Sequence, residues 1–300
     1  MKSSTPRILV TGATGQVGRA TVLRLKEEPS VQVIAAARTP AKARDLGVPT
    51  VALDFDKIET FGPALEGIDR VFLLTGYTVD MLRQSKVFLD AAKDAGIQHV
   101  VHLGACGDDR ATVAHWAWHQ LVERYIEWLG CSFTHIRPEQ FMQNLLGYSG
   151  KPTITNGVIE QYFGAARLSW VDADDVGAVC AICLRDVEAH QGQTYRMGYD
   201  AKTLDDVARI LTEVVGQPFV YHPRPPEEFL PRVLALGADP AYMKCVSDHY
   251  FAYAEGRIPE PDRVFDNFET ITHRKPVTWR DFAQKHADTF RMGFSNLKTS

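Results

Sequence analysis

No apolar run in this 300-residue sequence approaches the length of a membrane span, and Met1-Lys2-Ser3-Ser4-Thr5-Pro6 leads into the first apolar strand with no signal-peptide core. A cytoplasmic protein is expected. Basic residues are not in excess: 33 Lys and Arg against 37 Asp and Glu, interspersed along the chain, leave a net charge of −4. That balance offers no footprint for nucleic acid or for an anionic membrane surface. Cysteine is scarce, and the five present (Cys106, Cys131, Cys180, Cys183 and Cys245) are odd in number and scattered, which excludes a disulfide framework. Cys180 and Cys183 form a CxxC, but inside an apolar helical stretch with no second pair. Small buried hydrophobes are expected there rather than a redox or zinc site. Internal repeats, low-complexity tracts and long charged tails are also missing.

What is present is an ordinary globular composition, 45% apolar and 23% charged, organised around one stretch near the N-terminus. Arg7-Ile8-Leu9-Val10 is a short β-branched run. Thr11-Gly12-Ala13-Thr14-Gly15-Gln16-Val17-Gly18 follows it and opens an apolar pattern of helical period. Strand, tight turn and helix N-terminus together make a phosphate cradle. Without a Cβ, Gly12 can take a conformation barred to other residues, Gly15 lets a pyrophosphate approach the main chain, and Gly18 lets the helix pack close. The helix then offers unpaired N–H groups and the positive end of its dipole. An ordinary strand-to-helix turn is the competing reading, and the spacing is GxxGxxG rather than GxGxxG.

From residue 7 short apolar runs alternate with helical patterns, as βα units feeding a parallel sheet do. Strands are expected at 7–12, 31–36, 49–53, 69–75, 98–104 and 132–137, with helices at 16–28, 40–46, 57–66, 79–95 and 112–129. The expected fold class is α/β, a Rossmann-type doubly wound parallel sheet with a smaller C-terminal, substrate-side α+β subdomain. Residues 1–150 form the dinucleotide-binding domain and 151–300 mostly the substrate subdomain, with the helix and strand at about 172–197 returning to the first. Beyond residue 150 the pattern gives strands at 158–163, 167–171 and 193–197. Helices are expected at 173–185, 204–215, 227–237, 239–256 and 278–290. Tyr221 to Pro226 is too rich in proline for a central strand and reads as an edge strand or linker.

The second strand ends Ala35-Ala36-Ala37-Arg38, with Lys42 one helical turn further on and no carboxylate at the point where NAD-specific folds need one. Arg38 is suited to fork onto a 2′-phosphate, so NADPH (NADP+) is the expected cofactor unless these cations are only a solvated helix start. Asp54, after Val51-Ala52-Leu53, is either a contact to the adenine edge or a turn-initiating aspartate.

These features, with Asp69-Arg70-Val71-Phe72-Leu73-Leu74-Thr75 and Arg137-Pro138-Glu139-Gln140-Phe141-Met142-Gln143-Asn144, resemble the NmrA-like family of atypical short-chain dehydrogenase/reductases. The resemblance covers most of the chain and weakens after about residue 215. Its glycine loop is the GxxGxxG variant. By that resemblance, backbone around Thr14, Gly15, Gln16 and Val17 would hold the pyrophosphate and Arg38 the 2′-phosphate. Thr75 and Gly76 would lie on the ribose side, and Pro138 with Phe141 on the nicotinamide side. The family includes NADPH-dependent quinone and dye reductases and also NADP-binding regulators that perform no chemistry.

Ordinary short-chain dehydrogenases carry a Tyr-x-x-x-Lys pair on the fifth helix, the lysine lowering the tyrosine pKa. None of the ten tyrosines here has a lysine four residues on. In the matching frame stand His115 and His119, on one helix face with Glu123 a turn beyond. Either these histidines are catalytic, which suits a side chain titrating near neutrality, or the face binds a metal, or the rings merely line the cleft. No metal is expected, because the HExxH arrangement is absent.

Phe141, Met142, Tyr148, Tyr162, Phe163 and Trp170 would line an apolar slot for a flat substrate, or belong to ordinary core. The expected function is therefore hydride transfer from NADPH to a quinone-like or conjugated carbonyl compound. The expected partner is a small aromatic molecule, and the chain is a monomer or homodimer. A non-catalytic NADP(H) sensor, or a tailoring enzyme for aromatic polyketides (including a cofactor-independent oxygenase), stands as the alternative.

Overall fold

The computed structural model describes residues 5–147 and 153–294. Along the chain, β1 (Arg7–Val10) leads into α1 (Gln16–Lys26), β2 (Gln32–Ala37), β3 (Thr50–Ala52), α2 (Phe61–Leu65), β4 (Arg70–Leu73), α3 (Met81–Asp94), β5 (His99–Leu103), α4 (Ala114–Trp128) and β6 (Ser132–Pro138). Then come β7 (Gln140–Phe141), β8 (Ile154–Thr155), β9 (Val158–Gln161), β10 (Leu168–Val171), α5 (Ala173–Arg185), α6 (Val187–His190), β11 (Gln193–Met197), β12 (Asp200–Lys202), α7 (Leu204–Val215) and β13 (Val220–Pro223). The remainder is helical, with α8 (Phe229–Ala235), α9 (Pro240–Ala254), α10 (Asn267–Thr272), α11 (Trp279–Lys285) and α12 (Ala287–Met292). The stretch expected as a helix at 40–46 is a 3₁₀ helix, Pro40–Leu46, closed by Gly47 in the left-handed region.

The chain divides into two compact units, one of residues 1–138, 173–196 and 267–273, the other of 139–172, 197–266 and 274–300. The boundary falls after Pro138 rather than near residue 150, because β7 pairs in parallel with β10 and not with β6. A second return, the α10 segment, also belongs to the first unit.

The first unit holds a seven-stranded sheet in the order β11-β6-β5-β4-β1-β2-β3. Pairings from β6 across to β3 are all parallel. Buried on both faces, these strands read as continuous apolar runs, Ile8-Leu9-Val10 and Val71-Phe72-Leu73 being wholly inaccessible. Chain order reverses between β1 and β4, so the crevice beyond their carboxyl ends is where such a sheet takes its ligand. Behind it, Phe61, Phe88 and Phe55 meet edge to face with centroids 5.3–6.4 Å apart and anchor α2 and α3 on the sheet.

On the other face α1 crosses α5 at a point where both helices are small. A Cβ on Gly177 would stand 2.5 Å from the Ala20 Cβ and 3.0 Å from the Thr21 nitrogen. The CxxC of α5 lies in this layer: Cys180 and Cys183 are fully buried free thiols, and burial raises both thiol pKa values. They are packing residues.

The second unit carries two three-stranded sheets, β12-β10-β7 and β13-β9-β8. Pro223 sits on the edge strand β13, where a missing N–H costs no ladder bond. Helix α7 opens with a capping box between Thr203 and Asp206 and closes at Gly216 in the left-handed region. Gly177→Ala is expected to force α1 and α5 apart and lower unfolding stability by about 1–3 kcal/mol. Denaturant titration against the native protein measures it, and an unchanged midpoint would refute the close crossing.

Candidate active site

The glycine loop is built by what its glycines leave out. Gly12 has φ +61°, and a Cβ there would stand 2.8 Å from the Leu74 side chain. Gly15 donates its N–H to the Gly12 carbonyl at 2.9 Å, closing the turn. A Cβ on Gly18 would lie only 2.3 Å from that same carbonyl oxygen, so the third glycine of the spacing exists to let α1 start against the first. Beneath the turn, buried Thr11 takes the Leu74 N–H at 2.8 Å and donates its hydroxyl to the Leu74 carbonyl at 3.1 Å, tying β1 to β4. Helix α1 has no side-chain cap at Gly15 and no acidic residue in its first turn. Its leading N–H groups and the positive end of its dipole therefore face an anion unopposed. Thr14 and Gln16 are exposed beside them and Val17 is buried.

Arg38 follows β2 and is exposed, as is Lys42, and among the described residues neither side chain makes a hydrogen bond or ion pair. Asp56 is the nearby acid, but it is held by Arg83 and by Gln84, each at 2.9 Å, which lowers its pKa. Asp54 is half-buried, and its Oδ1 accepts the Asp56 N–H at 3.2 Å while its own N–H goes to the Thr60 hydroxyl at 3.1 Å. Its role in the structure is that of a turn residue. Thr75 is half-buried and Gly76 exposed just beyond β4.

Helix α4 presents one row at a spacing of four: His115, His119, Glu123 and Glu127. The adjoining strands answer it. His102 on β5 and His135 on β6 are register partners, and Arg137 lies two residues beyond His135 on the same strand face. Three contacts join helix to strands. The His119 Nδ1 lies 3.3 Å from the His102 Nε2. Glu123 and Arg137, both buried, form a two-pronged ion pair, Nε to Oε1 at 2.9 Å and Nη2 to Oε2. The His135 Nε2 meets the Glu127 carboxylate at 3.2 Å. These contacts run the helix antiparallel to the strands, so His115 and His119 lie toward the carboxyl ends of the sheet. Arg137 also reaches Asp109 at 2.5 Å and the Gly107 carbonyl at 3.4 Å, which fastens the β5–α4 loop.

Burial settles the charge of this row. Desolvation pushes the His115 pKa down to about 4 and that of His119 to about 3. His135 falls to about 3 through burial and the charges of Arg124 and Arg137, and His102 falls well below its ordinary value for the same kinds of reason. The expectation that His115 and His119 titrate near neutrality is corrected: both are neutral imidazoles there, able to donate a hydrogen bond but not to act as imidazolium acids. The metal reading of the 115/119/123 face changes too. Among the described residues the histidine–carboxylate cluster is His102, Glu123 and His135, and Arg137 already holds both oxygens of its carboxylate.

The residues expected to line an apolar slot are mostly buried. Trp170 is 1% exposed, packs edge-on against Trp279 at 5.1 Å and donates its indole N–H to the Lys202 carbonyl, so it is core rather than wall. Met142 is fully buried. Tyr162 and Phe163 are buried in an aromatic cluster with Phe229, Tyr250 and Tyr253. Phe141 on β7 is half-buried, Pro138 closes β6, and Tyr148 lies outside the described residues. Sequence reasoning missed His102, His135 and Arg137 as site residues. The signal was there: an alternating polar pair on β6 facing a polar helix row that extends to Glu127.

Residues 4–282 match the model of the NmrA-like family. The chain belongs to the NmrA-like family. Among similar proteins, the NAD(P)H azoreductase of Xenophilus azovorans is 30% identical over 293 residues, 94% of this chain and 99% of that protein. The fold is similar to that of the Citrobacter sp. triphenylmethane reductase complexed with NADP(H), with TM-score 0.78, 23% identity and coverage of 93% of this chain and 99% of that one. An NADPH-dependent quinone oxidoreductase from Escherichia coli, complexed with NADPH, gives the same TM-score, identity and coverage. Among the described residues no helix is long and apolar enough to cross a membrane.

Replacing Glu123 by Met leaves the Arg137 charge buried without its main partner, and the expected loss is about 3–5 kcal/mol of stability. The double variant Glu123→Met/Arg137→Met recovers most of it, and a single variant as stable as the native chain in urea would show that the pair is not buried. The histidines predict an acid limb. Folded, they stay neutral down to about pH 3–4, whereas unfolded they protonate below about 6.5, so the unfolded state binds more protons in that window. Stability therefore falls as pH drops from about 6.5 to 4, by about 1.4 kcal/mol per pH unit for each such histidine. Urea midpoints across that range measure the slope, and His135→Phe should make it shallower.

Proposed function

We propose that the protein is an NADPH-dependent reductase that passes hydride to a flat, electron-poor acceptor of the quinone or conjugated carbonyl class. The observation that carries this reading is the α4 row: neutral histidines stand where a tyrosine–lysine acid pair would serve ketone reduction. Reducing a simple ketone yields a strongly basic alkoxide and calls for a proton donor, whereas reducing a quinone yields a phenolate-like anion that a positioned N–H can stabilise without giving up its proton. His115 and His119, neutral and toward the carboxyl ends of the strands, fit the second task. The dye and quinone reductases among the similar proteins support the same acceptor class.

The cradle residues fit the cofactor. Backbone of Gly12, Thr14, Gly15, Gln16 and Val17 would take the pyrophosphate on the uncapped start of α1. Arg38, with Lys42 behind it, would take the 2′-phosphate, Asp54 the adenine side through its free carboxylate oxygen, Thr75 and Gly76 the ribose side, and Pro138 the nicotinamide side. When bound, NADPH supplies the hydride, and the residues of this chain orient it and stabilise the charge that develops on the acceptor.

Following NADPH oxidation by the purified protein against quinones, conjugated enones and simple ketones tests the reading, with direct NADPH and NADH titrations beside it. Turnover is expected on quinones and not on simple ketones, with His119→Ala and His115→Ala lowering kcat while NADPH affinity survives. Arg38→Ala should weaken NADPH about 10–100-fold and NADH little, as loss of a charge-assisted contact to phosphate requires. Tight NADPH binding with no turnover on any acceptor would favour a cofactor-sensing protein instead. Failure to bind NADPH would sink both readings.

A further inference from the structure

The His119–His102 contact places two neutral imidazoles nitrogen to nitrogen, 3.3 Å apart, so a single hydrogen lies between them. Which ring carries it decides whether the other nitrogen of His119, Nε2, bears a hydrogen. His102 is enclosed on β5, 1% exposed, and its other nitrogen, Nδ1, is buried with no hydrogen-bond partner among the described residues.

If His102 carried its proton on Nδ1, a buried N–H would go unsatisfied. With the proton on Nε2, the orphan at Nδ1 is only a lone pair, which costs less, and the Nε2–H points at His119. Neither ring escapes by taking a second proton, because burial disfavours a cation on both, and at His102 the Arg137 charge adds to that. Its register partner shows the same economy: His135 turns Nε2 to the Glu127 carboxylate and leaves a buried Nδ1 unpartnered. The Glu123 carboxylate, the remaining candidate acceptor near His102, has both oxygens on Arg137.

We propose that His102 is a positioning residue: it donates from Nε2 to the His119 Nδ1 and so locks His119 as the Nε2–H tautomer, presenting a fixed hydrogen-bond donor on the half-buried side of the helix. In the reductase reading, on which the catalytic meaning of this donor rests, it is the Nε2–H of His119 that stabilises the anion developing on the acceptor. His119 then acts without changing its own protonation state.

The tautomer is read directly by two-bond ¹H–¹⁵N correlation on the full-length, ¹⁵N-histidine-labelled protein at pH 7, with the His119 signals assigned from their loss in His119→Gln. The expected pattern is a protonated Nε2 and a bare Nδ1, unchanged down to pH 5.5. A protonated Nδ1, an imidazolium, or two averaged tautomers in the native protein would overturn the proposal. In His102→Leu the donor is gone and the His119 pattern should collapse to an average, whereas the amide of His102→Gln can replace the Nε2–H and should hold it. A pattern preserved in His102→Leu also overturns the proposal. On a quinone acceptor, kcat should fall on the order of tenfold in His102→Leu and about twofold or less in His102→Gln, with NADPH affinity unmoved in both. If the tautomer is as stated but the native protein reduces nothing, the reductase reading fails and the assignment of His102 stands.

Discussion

Burying the Arg137 guanidinium against Glu123 is what allows α4 to lie on β5 and β6 with a polar row turned inward. A lone carboxylate beneath that helix would be costly to desolvate, and so would a lone guanidinium on the strand. Together they form a neutral wedge, and the histidines on either side are kept uncharged by their own desolvation. Through Asp109 and Gly107 the same guanidinium reaches the loop that precedes α4, so loop, helix and strand share one anchor.

The histidine row changes the kind of chemistry the helix can support. A tyrosine lowered in pKa by a lysine is an acid and gives up a proton. Histidines held neutral by burial offer directed N–H bonds whose strength does not vary through the neutral pH range. The difference follows from desolvation, which stiffens the protonation state of His115, His119, His102 and His135 alike. Under the proposed function, such a site would suit acceptors whose reduced form is a stabilised anion.

Much of the first unit was legible because its signals are local. The βα rhythm, the glycine spacing, the proline-bearing edge at Tyr221 to Pro226 and the caps of α7 all come from residues close in sequence. The 3₁₀ helix at Pro40–Leu46 was read only as helical, since its apolar spacing over two turns is compatible with either winding. The division after Pro138 is not legible in the sequence, because the β7–β10 pairing spans some thirty residues and leaves no mark at residue 138 itself. At the site, the helix spacing found His115, His119 and Glu123. Their partners on β5 and β6 and the downward pKa shifts follow from packing, which no single stretch encodes. Trp170 shows the converse: an aromatic residue after a loop reads as pocket or core until Trp279 is seen against it.

The cradle at the start of α1 is made of main chain. Peptide N–H groups do not titrate in the neutral range and have no rotamers, so the grip such a loop would have on an anion is set by its shape. That shape is fixed by the Gly18 Cα resting on the Gly12 carbonyl, a contact that tolerates no additional atom, while Thr14 and Gln16 stand in solvent and contribute little to it. Substitution in this loop should therefore be governed by volume and not by polarity: the side chains between the glycines can drift in chemistry, and a single methyl group at the third glycine is the change that opens the turn.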